Sequence, residues 1–162
     1  RIESMSDVEN AAGQVRMSWG LGFDPIGSVV SAVEEHGVKV VIIDGLEGFD
    51  GFSCVANESI PVIAIPMGVS GGRQRFTLAH ELGHMVLDTA PEVDEEKAAH
   101  RFAGAFLAPQ KAVVNELGPR RSRLDIDELA ILKRSYEISM QAWARRAFDL
   151  GIIQRAAYES LL

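Results

Sequence analysis

Two histidines and a glutamate stand close together in residues 80–84, which read His-Glu-Leu-Gly-His. Residues four positions apart on a helix share a face, so the imidazoles of His80 and His84 can reach one metal ion. Zn²⁺ suits such a pair because imidazole is one of its usual ligands, and Mn²⁺ could substitute for it. Glu81 lies beside this face, where its carboxylate could accept a proton from water on the ion. The spacing therefore predicts a zinc site with a catalytic general base at Glu81.

A catalytic zinc site needs a third protein ligand, and the sequence leaves several candidates open. Asp88 lies one turn beyond His84, where it is better placed to orient a ligand than to complete the coordination sphere. Glu96 shares a predicted helix face with Ala99 and Ala103, whose small side chains would let that helix approach the histidines. The other candidates are Glu92, Asp94, Glu95 and His100. Spacing alone favours Glu96 without excluding these.

Three short runs of apolar and β-branched residues come before the metal motif. They lie at 38–43, 52–56 and 62–65 and are predicted to be strands. Pro61 and Pro66 flank the third run, which favours an edge position in the sheet. As an edge strand, residues 62–65 could align a peptide substrate by backbone pairing.

Helices are predicted on both sides of these strands. The first starts at Asp24-Pro25, a cap followed by a proline, and ends at Gly37. The later ones are expected near 73–88, 94–107, 109–117, 125–135, 139–149 and 152–161. Strands segregated from helices predict an α+β fold rather than a doubly wound one.

Residues 75–84 and 96–109 form two blocks that resemble the signature of the ImmA/IrrE family of metallopeptidase-like proteins. The first block reads Arg-Phe-Thr-Leu-Ala-His-Glu-Leu-Gly-His. The second carries Glu96, Ala99, Phe102, Ala103, Phe106, Leu107 and Pro109. Three positions depart from the family pattern: Phe106 replaces a Leu, Ala108 stands where Met is frequent, and Asp88 where His is. The resemblance extends from about residue 22 to the end of the chain.

This resemblance implies both a fold and an activity. The fold is a zincin-like metallopeptidase core with a small, about three-stranded sheet and a helix carrying the His-Glu-x-x-His motif. The family pattern makes Glu96 the third metal ligand. The implied activity is zinc-dependent endopeptidase cleavage of a helix-turn-helix transcriptional repressor, of phage, mobile-element or stress-response type.

We expect three regions along the chain. Residues 1–20 form an N-terminal arm or peripheral helix, residues 21–118 the metallopeptidase core, and residues 119–162 a helical C-terminal subdomain. Two amphipathic helices around a turn at 136–139 resemble a helix-turn-helix. Gln141, Arg145 and Arg146 would then lie on the outer part of the second helix as candidate DNA contacts. A subdomain that only completes the core is favoured, because the net charge is −7 and the turn has no glycine.

Two further side chains are candidates for stabilising a negatively charged oxygen during hydrolysis. His100 lies four residues after Glu96 on the same predicted face, and Tyr136 could reach the site from the tail. An ordinary polar contact is the simpler interpretation of both.

Composition excludes several protein classes. The chain has 162 residues, 47% of them hydrophobic, and every long apolar run is interrupted by charge, so no membrane association is expected. Residues 1–10 lack the apolar segment of a secretory signal, and the single cysteine excludes an internal disulfide. These features predict a cytoplasmic protein.

Two classes of function fit these observations. The first is a zinc endopeptidase acting on a repressor. The second is a non-proteolytic anti-repressor or DNA-binding module with a vestigial zinc site, and a toxin–antitoxin component is a further alternative. Glu81 favours the enzyme, because a structural zinc site needs no general base.

Overall fold

Eight helices and three strands make up the chain, and the computed structural model describes all of residues 1–162. In chain order they are α1 (Met5–Ser18), α2 (Val29–Glu35), β1 (Lys39–Ile43), β2 (Phe52–Ala56), β3 (Ile60–Pro66), α3 (Gly71–Val86), α4 (Glu95–Leu107), α5 (Gln110–Leu117), α6 (Ile126–Tyr136), α7 (Met140–Asp149) and α8 (Arg155–Glu159). The predicted α+β class is thus confirmed. No helix has the length and apolar character needed to cross a membrane.

The sheet has the strand order β1-β3-β2, with β3 parallel to β1 and antiparallel to β2. The prediction of an edge position for residues 62–65 is therefore wrong. Pro61 and Pro66 stand near the ends of β3, while Ile63, Ala64 and Ile65 between them are buried. Burial of this apolar centre places the strand in the middle, and β1 and β2 form the edges.

Helices α3 and α4 pack closely against each other. Gly83 lies at their contact: a Cβ atom there would be 3.1 Å from Phe102 Cδ1 and 3.2 Å from the Cα of Ala99. Ala99 and Ala103 on α4 are fully buried. Small residues on both helices therefore allow the short distance, as the alanine spacing suggested.

The N-terminal segment is an integral part of the core. A reciprocal capping box between Ser4 and Asp7 starts α1, and this helix packs on α4 with Val8 and Ala12 fully buried. Ahead of it, the Ile2 amide donates to the Asp88 carbonyl at 2.7 Å. Residues 1–20 therefore contain a helix packed on α4 and do not form a free arm.

The first predicted helix starts later than Asp24-Pro25. Ser28 caps α2 instead, accepting a hydrogen bond from the Ser31 amide at 3.1 Å. Asp24 is held by another part of the chain, because its carbonyl accepts from Arg16 Nη2 at 2.6 Å. Arg16 is buried on α1 and also donates to the Phe106 carbonyl at 2.6 Å. These tertiary hydrogen bonds, rather than the local capping preference of Asp24, determine where the helix begins.

The C-terminal helices share the core of the rest of the chain. A single cluster of 33 buried residues extends from Ile2 to Ile153 and includes Leu129 and Trp143 of α6 and α7. The last helix is shorter than predicted, since Ile152 and Ile153 lie buried in the turn before it. The domain boundaries near residues 20 and 118, and the helix-turn-helix character of the tail, stay predictions.

Candidate metal centre

Helix α3 brings the two motif histidines to one side of the sheet. Ser70 caps the helix by accepting from the Arg73 amide at 3.3 Å, and the helix continues to Val86. His80 and His84 therefore lie one turn apart, with 3.1 Å between their Nε2 atoms. Two neutral imidazoles at that distance can share only one proton, whereas a cation satisfies both nitrogens.

Helix α4 brings Glu96 to the same point. Asp94 caps this helix through the Lys97 amide at 3.0 Å, which places Glu96 in the first turn. Its Oε2 lies 3.3 Å from His80 Nε2, and its Oε1 lies 3.1 Å from His84 Nε2. None of the other acidic candidates for a third ligand joins this group.

The three side chains fit a zinc ion. Tetrahedral zinc binds nitrogen and oxygen at about 2.0–2.1 Å, which separates neighbouring ligand atoms by about 3.3–3.4 Å. The measured separations of 3.1–3.3 Å are close to this value. The Glu96 side chain is 76% exposed, and a cavity of about 570 Å³ opens over the group. The arrangement can therefore hold an ion with three protein ligands and leave one position open.

Glu81 lies in the same cavity and is held by the sheet. Ser53 on β2 donates a hydrogen bond from Oγ to Glu81 Oε2 at 2.8 Å. Gly51 comes so close that a Cβ there would lie 2.6 Å from Thr77 Cγ2 and 3.2 Å from Glu81 Oε1, and its φ is 154°. Sequence reasoning gave no role to Gly51, and Ser53 was only part of the predicted strand at 52–56. Both residues position the carboxylate next to the ligand group.

Two of the three histidines that line the cavity, His80 and His100, favour the neutral form. Burial, together with the neighbouring His84, lowers the pKa of His80. Burial, His80 and Arg145 lower the pKa of His100. A neutral imidazole is the form that binds a metal ion.

His100 lies beside the ligand group without joining it. Its ring centroid is 6.3 Å from that of His80 and 4.8 Å from that of Phe76, and it lines the cavity. Its predicted contact with a negatively charged oxygen therefore stays a prediction that the position allows.

Asp88 lies outside the helix of the histidines, contrary to the sequence prediction of a helix over 73–88. Leu87 ends α3 in an extended conformation, so Asp88 lies beyond the helix and is exposed. Its side chain is not among those lining the cavity. The structure thus gives no support for a role in orienting His84.

Tyr136 also lies away from the ligand group. Its hydroxyl contacts Glu116 Oε1 at 3.3 Å, and its ring packs edge-on against Trp143. Burial and Glu116 raise the pKa of Tyr136 to about 12. The prediction that Tyr136 reaches the site is therefore wrong, because its aromatic ring is part of the core.

Arg146 is a core residue and cannot contact DNA, contrary to the expectation from the sequence. It is 1% exposed and bonds Glu9 from Nη1 at 2.5 Å and from Nη2 at 3.0 Å. Arg101 donates to the same carboxylate at 2.5 Å. Gln141 and Arg145 are exposed on α7, and DNA contact by them stays a prediction. Glu9 stands 137 positions from Arg146, so no local pattern could have revealed their pairing.

Comparison with known proteins decides the family. The family model of the IrrE N-terminal-like domain, peptidase family M78, matches residues 33–148. The chain belongs to this family. The match includes His80, Glu81, His84 and Glu96, and it confirms the resemblance carried by the two sequence blocks.

The fold of this IrrE-like domain also occurs in a solved structure. A Mycobacterium tuberculosis transcriptional regulator superposes with a TM-score of 0.59, at 20% sequence identity, over 86% of this chain. The matched region is 46% of that protein, so the chain spans about half its length. No curated protein matches the chain.

Proposed function

We propose that this chain is a zinc-dependent endopeptidase that cleaves a transcriptional repressor. The observation that carries the proposal is the convergence of His80, His84 and Glu96, with Glu81 beside them in one open cavity. Membership of a peptidase family supports it. A structural site would gain nothing from an uncoordinated carboxylate at this position.

His80, His84 and Glu96 would hold the ion. When bound, zinc supplies a Lewis acid that polarises a carbonyl and lowers the pKa of water. Glu81 would accept the proton of the attacking water and then donate it to the leaving amine. The hydrogen bond from Ser53 leaves one oxygen of Glu81 free for this transfer while fixing the rotamer of the side chain.

Strand β2 is the edge that could align a peptide. It is bonded to β3 along one side only, and its Ser53 contacts Glu81. An extended substrate paired with the free side of β2 would pass next to the general base. This assignment replaces residues 62–65, which lie in the centre of the sheet.

The repressor target is supported by two indirect findings. The family resemblance implies a helix-turn-helix repressor, and the structural neighbour is a transcriptional regulator. Such a target goes with a cytoplasmic location. DNA binding by the tail is not proposed, because one of its three candidate contacts, Arg146, is buried.

The test compares Glu81→Gln and His84→Ala with a matched control, Glu92→Gln, whose carboxylate is exposed and outside the cavity. The protein is purified without metal-affinity resin and its zinc is measured by elemental analysis. We expect one zinc per chain in the parent, in Glu81→Gln and in the control, and a large loss in His84→Ala. Candidate repressors from the same genome are then incubated with each protein and Zn²⁺ or Mn²⁺, and fragments are detected by mass spectrometry.

Cleavage by Glu81→Gln should fall by about 10²–10⁴-fold, the usual contribution of a general base. The control should cleave like the parent. If Glu81→Gln relieves repression in cells as well as the parent does, with no repressor fragment in either case, the proteolytic mechanism is wrong. The non-proteolytic regulator would then be the better explanation.

A further inference from the structure

A second cavity, of about 670 Å³, adjoins the one over the metal ligands. The two share Arg73, Phe76 and His100 in their walls. Phe76 and His100 are in contact, with 4.8 Å between ring centroids, and they form the boundary between the cavities. A substrate peptide bound over the metal ligands could therefore continue into the second cavity, because the two cavities share a wall. Each extended residue of such a peptide covers about 3.4 Å.

The second cavity combines an apolar floor with a cationic rim. Phe76, Ile138, Ala142 and Tyr158 provide the apolar surface. The rim carries Arg73, Lys133 and Arg145, and one carboxylate, Glu137. Arg75, outside the cavity, pairs with Glu137 at 3.1 Å and offsets its charge. The lining is thus positive in a chain whose net charge is −7.

Ion pairs within the protein neutralise only part of the positive charge of the rim. Arg73 pairs with Asp50 at 2.5 Å, whereas Lys133 is in none of the ion pairs of the protein. Arg145 pairs with Asp149 at 2.8 Å, but Asp149 also pairs with Arg101. One carboxylate therefore serves two guanidinium groups there, and attraction for a further anion remains.

Arg145 is also held in place before any ligand arrives. Its guanidinium pairs with Asp149. It also lies over the rings of Phe148 and Tyr158, at 5.8 Å and 6.0 Å from their centroids. These two rings stack on each other at 4.9 Å. A side chain already ordered loses less entropy when it binds a carboxylate.

We propose that this second cavity binds an acidic segment of the substrate, next to the bond that is cut. This inference rests on the proposed endopeptidase function and adds a substrate class to it. An apolar side chain of the peptide would occupy the floor, and a neighbouring Asp or Glu would face Lys133 and Arg145. The cavity would thereby select acidic sequences on one side of the cleavage site.

The experiment measures peptide binding to the full chain carrying Glu81→Gln, so that the probe is not cut. The probes are two fluorescein-labelled 12-residue peptides, identical except that one has three Glu where the other has three Gln. We add Lys133→Glu and, as the matched control, Arg134→Glu. Both residues are exposed in the last turn of α6, but only Lys133 lines the cavity.

We expect fluorescence anisotropy to show about three- to tenfold tighter binding of the acidic peptide, the worth of one or two partly exposed ion pairs. Lys133→Glu should bring the ratio to about one, and Arg134→Glu should leave it unchanged. Salt should reduce the preference, because the rim charges are exposed. Equal binding of both peptides, or equal effects of the two reversals, overturns the inference. So does Lys133-dependent binding of a 12-base-pair DNA duplex that is tighter than binding of the acidic peptide.

The two proposals can fail separately. If repressor cleavage is found but the acidic preference is not, only the assignment of the second cavity fails. If the preference is found and depends on Lys133, while neither parent nor Glu81→Gln cuts any repressor, the endopeptidase function fails. The cavity is then a peptide-binding site in a regulator without proteolytic activity.

Discussion

Replacing Glu9 by glutamine tests how the core around α4 is held together. The Glu9 carboxylate on α1 accepts from Arg146 on α7 and from Arg101 on α4. The side chains of Glu9 and Arg146 are 11% and 2% exposed, so water cannot replace the lost partner. Glu9→Gln keeps the shape and one acceptor oxygen but leaves Arg146 without a counter-charge and Arg101 with only Asp149, at 3.5 Å.

The size of the effect follows from burial. Removing one partner of a buried ion pair costs about 3–5 kcal/mol, because the other charge stays in a low-dielectric environment. The retained amide oxygen of Gln places Glu9→Gln at the lower end, about 3 kcal/mol. For a chain of this length, each kcal/mol lowers Tm by about 2–4 °C, so Tm should fall by about 6–12 °C.

The effect should depend on pH with a defined sign. Burial opposes ionisation of Glu9, but the hydrogen bonds and charges of Arg146 and Arg101 outweigh it and hold its pKa below the ordinary value of 4.5. A carboxyl whose pKa is lower in the folded state stabilises the protein fully above its unfolded-state pKa. That stabilisation is lost as the pH falls through the folded-state pKa. The parent should therefore exceed Glu9→Gln in stability by the full amount at pH 7 and by progressively less below about pH 4.5.

The assay is urea unfolding at several pH values, followed by circular dichroism. Glu159→Gln is the control, because Glu159 forms an exposed pair with Arg155 at 3.7 Å that contributes at most about 1 kcal/mol. A loss in Glu9→Gln no larger than in this control would refute the reasoning. A difference that grows towards acidic pH would contradict the sign of the pKa shift.

Two other substitutions test the positions that the structure gives to Gly51 and Tyr136. Gly51→Ala should lower cleavage at least tenfold with zinc retained, because the new methyl group displaces the loop beside Glu81. Gly48→Ala is its control: Gly48 also has a positive φ, of 75°, but open space, so it should cost about 1 kcal/mol in urea unfolding and leave cleavage unchanged. Tyr136→Phe should cost about 1 kcal/mol of stability and leave zinc content and cleavage at parental levels, because its hydroxyl faces Glu116. A large loss of cleavage in Tyr136→Phe would instead place that hydroxyl in the mechanism.

Local sequence patterns predicted those features of the site that depend only on the geometry of a helix. Four-residue spacing placed His80 and His84 on one face of α3, where their Nε2 atoms lie 3.1 Å apart. Small residues on α4 indicated a close helix contact, and Glu96 does reach both histidines. The alternatives at Glu92 and Glu95 could be set aside only in three dimensions. All three are glutamates close together in sequence, and only the position of α4 shows that Glu96 alone reaches the histidines.

Predictions failed where distant parts of the chain decide local structure. Asp24 looks like a helix cap in sequence, but Arg16 holds its carbonyl, and Ser28 caps α2. The prolines flanking residues 62–65 suggested an edge strand, whereas burial of Ile63 and Ile65 places β3 in the centre. In each case a contact between remote residues contributes more than the local preference.

The position of Glu96 depends on both sides of α4. On one side, Gly83 admits α4 to within contact distance of α3, which sets how far Glu96 reaches towards the histidines. On the other side, Glu9 and Arg101 tie α4 to α1, and Arg146 continues that tie to α7. A rigid helix can present a ligand reproducibly only if it is fixed on more than one face. The N-terminal helix and the tail, which look peripheral in the sequence, therefore help to hold the third ligand of the candidate site in place.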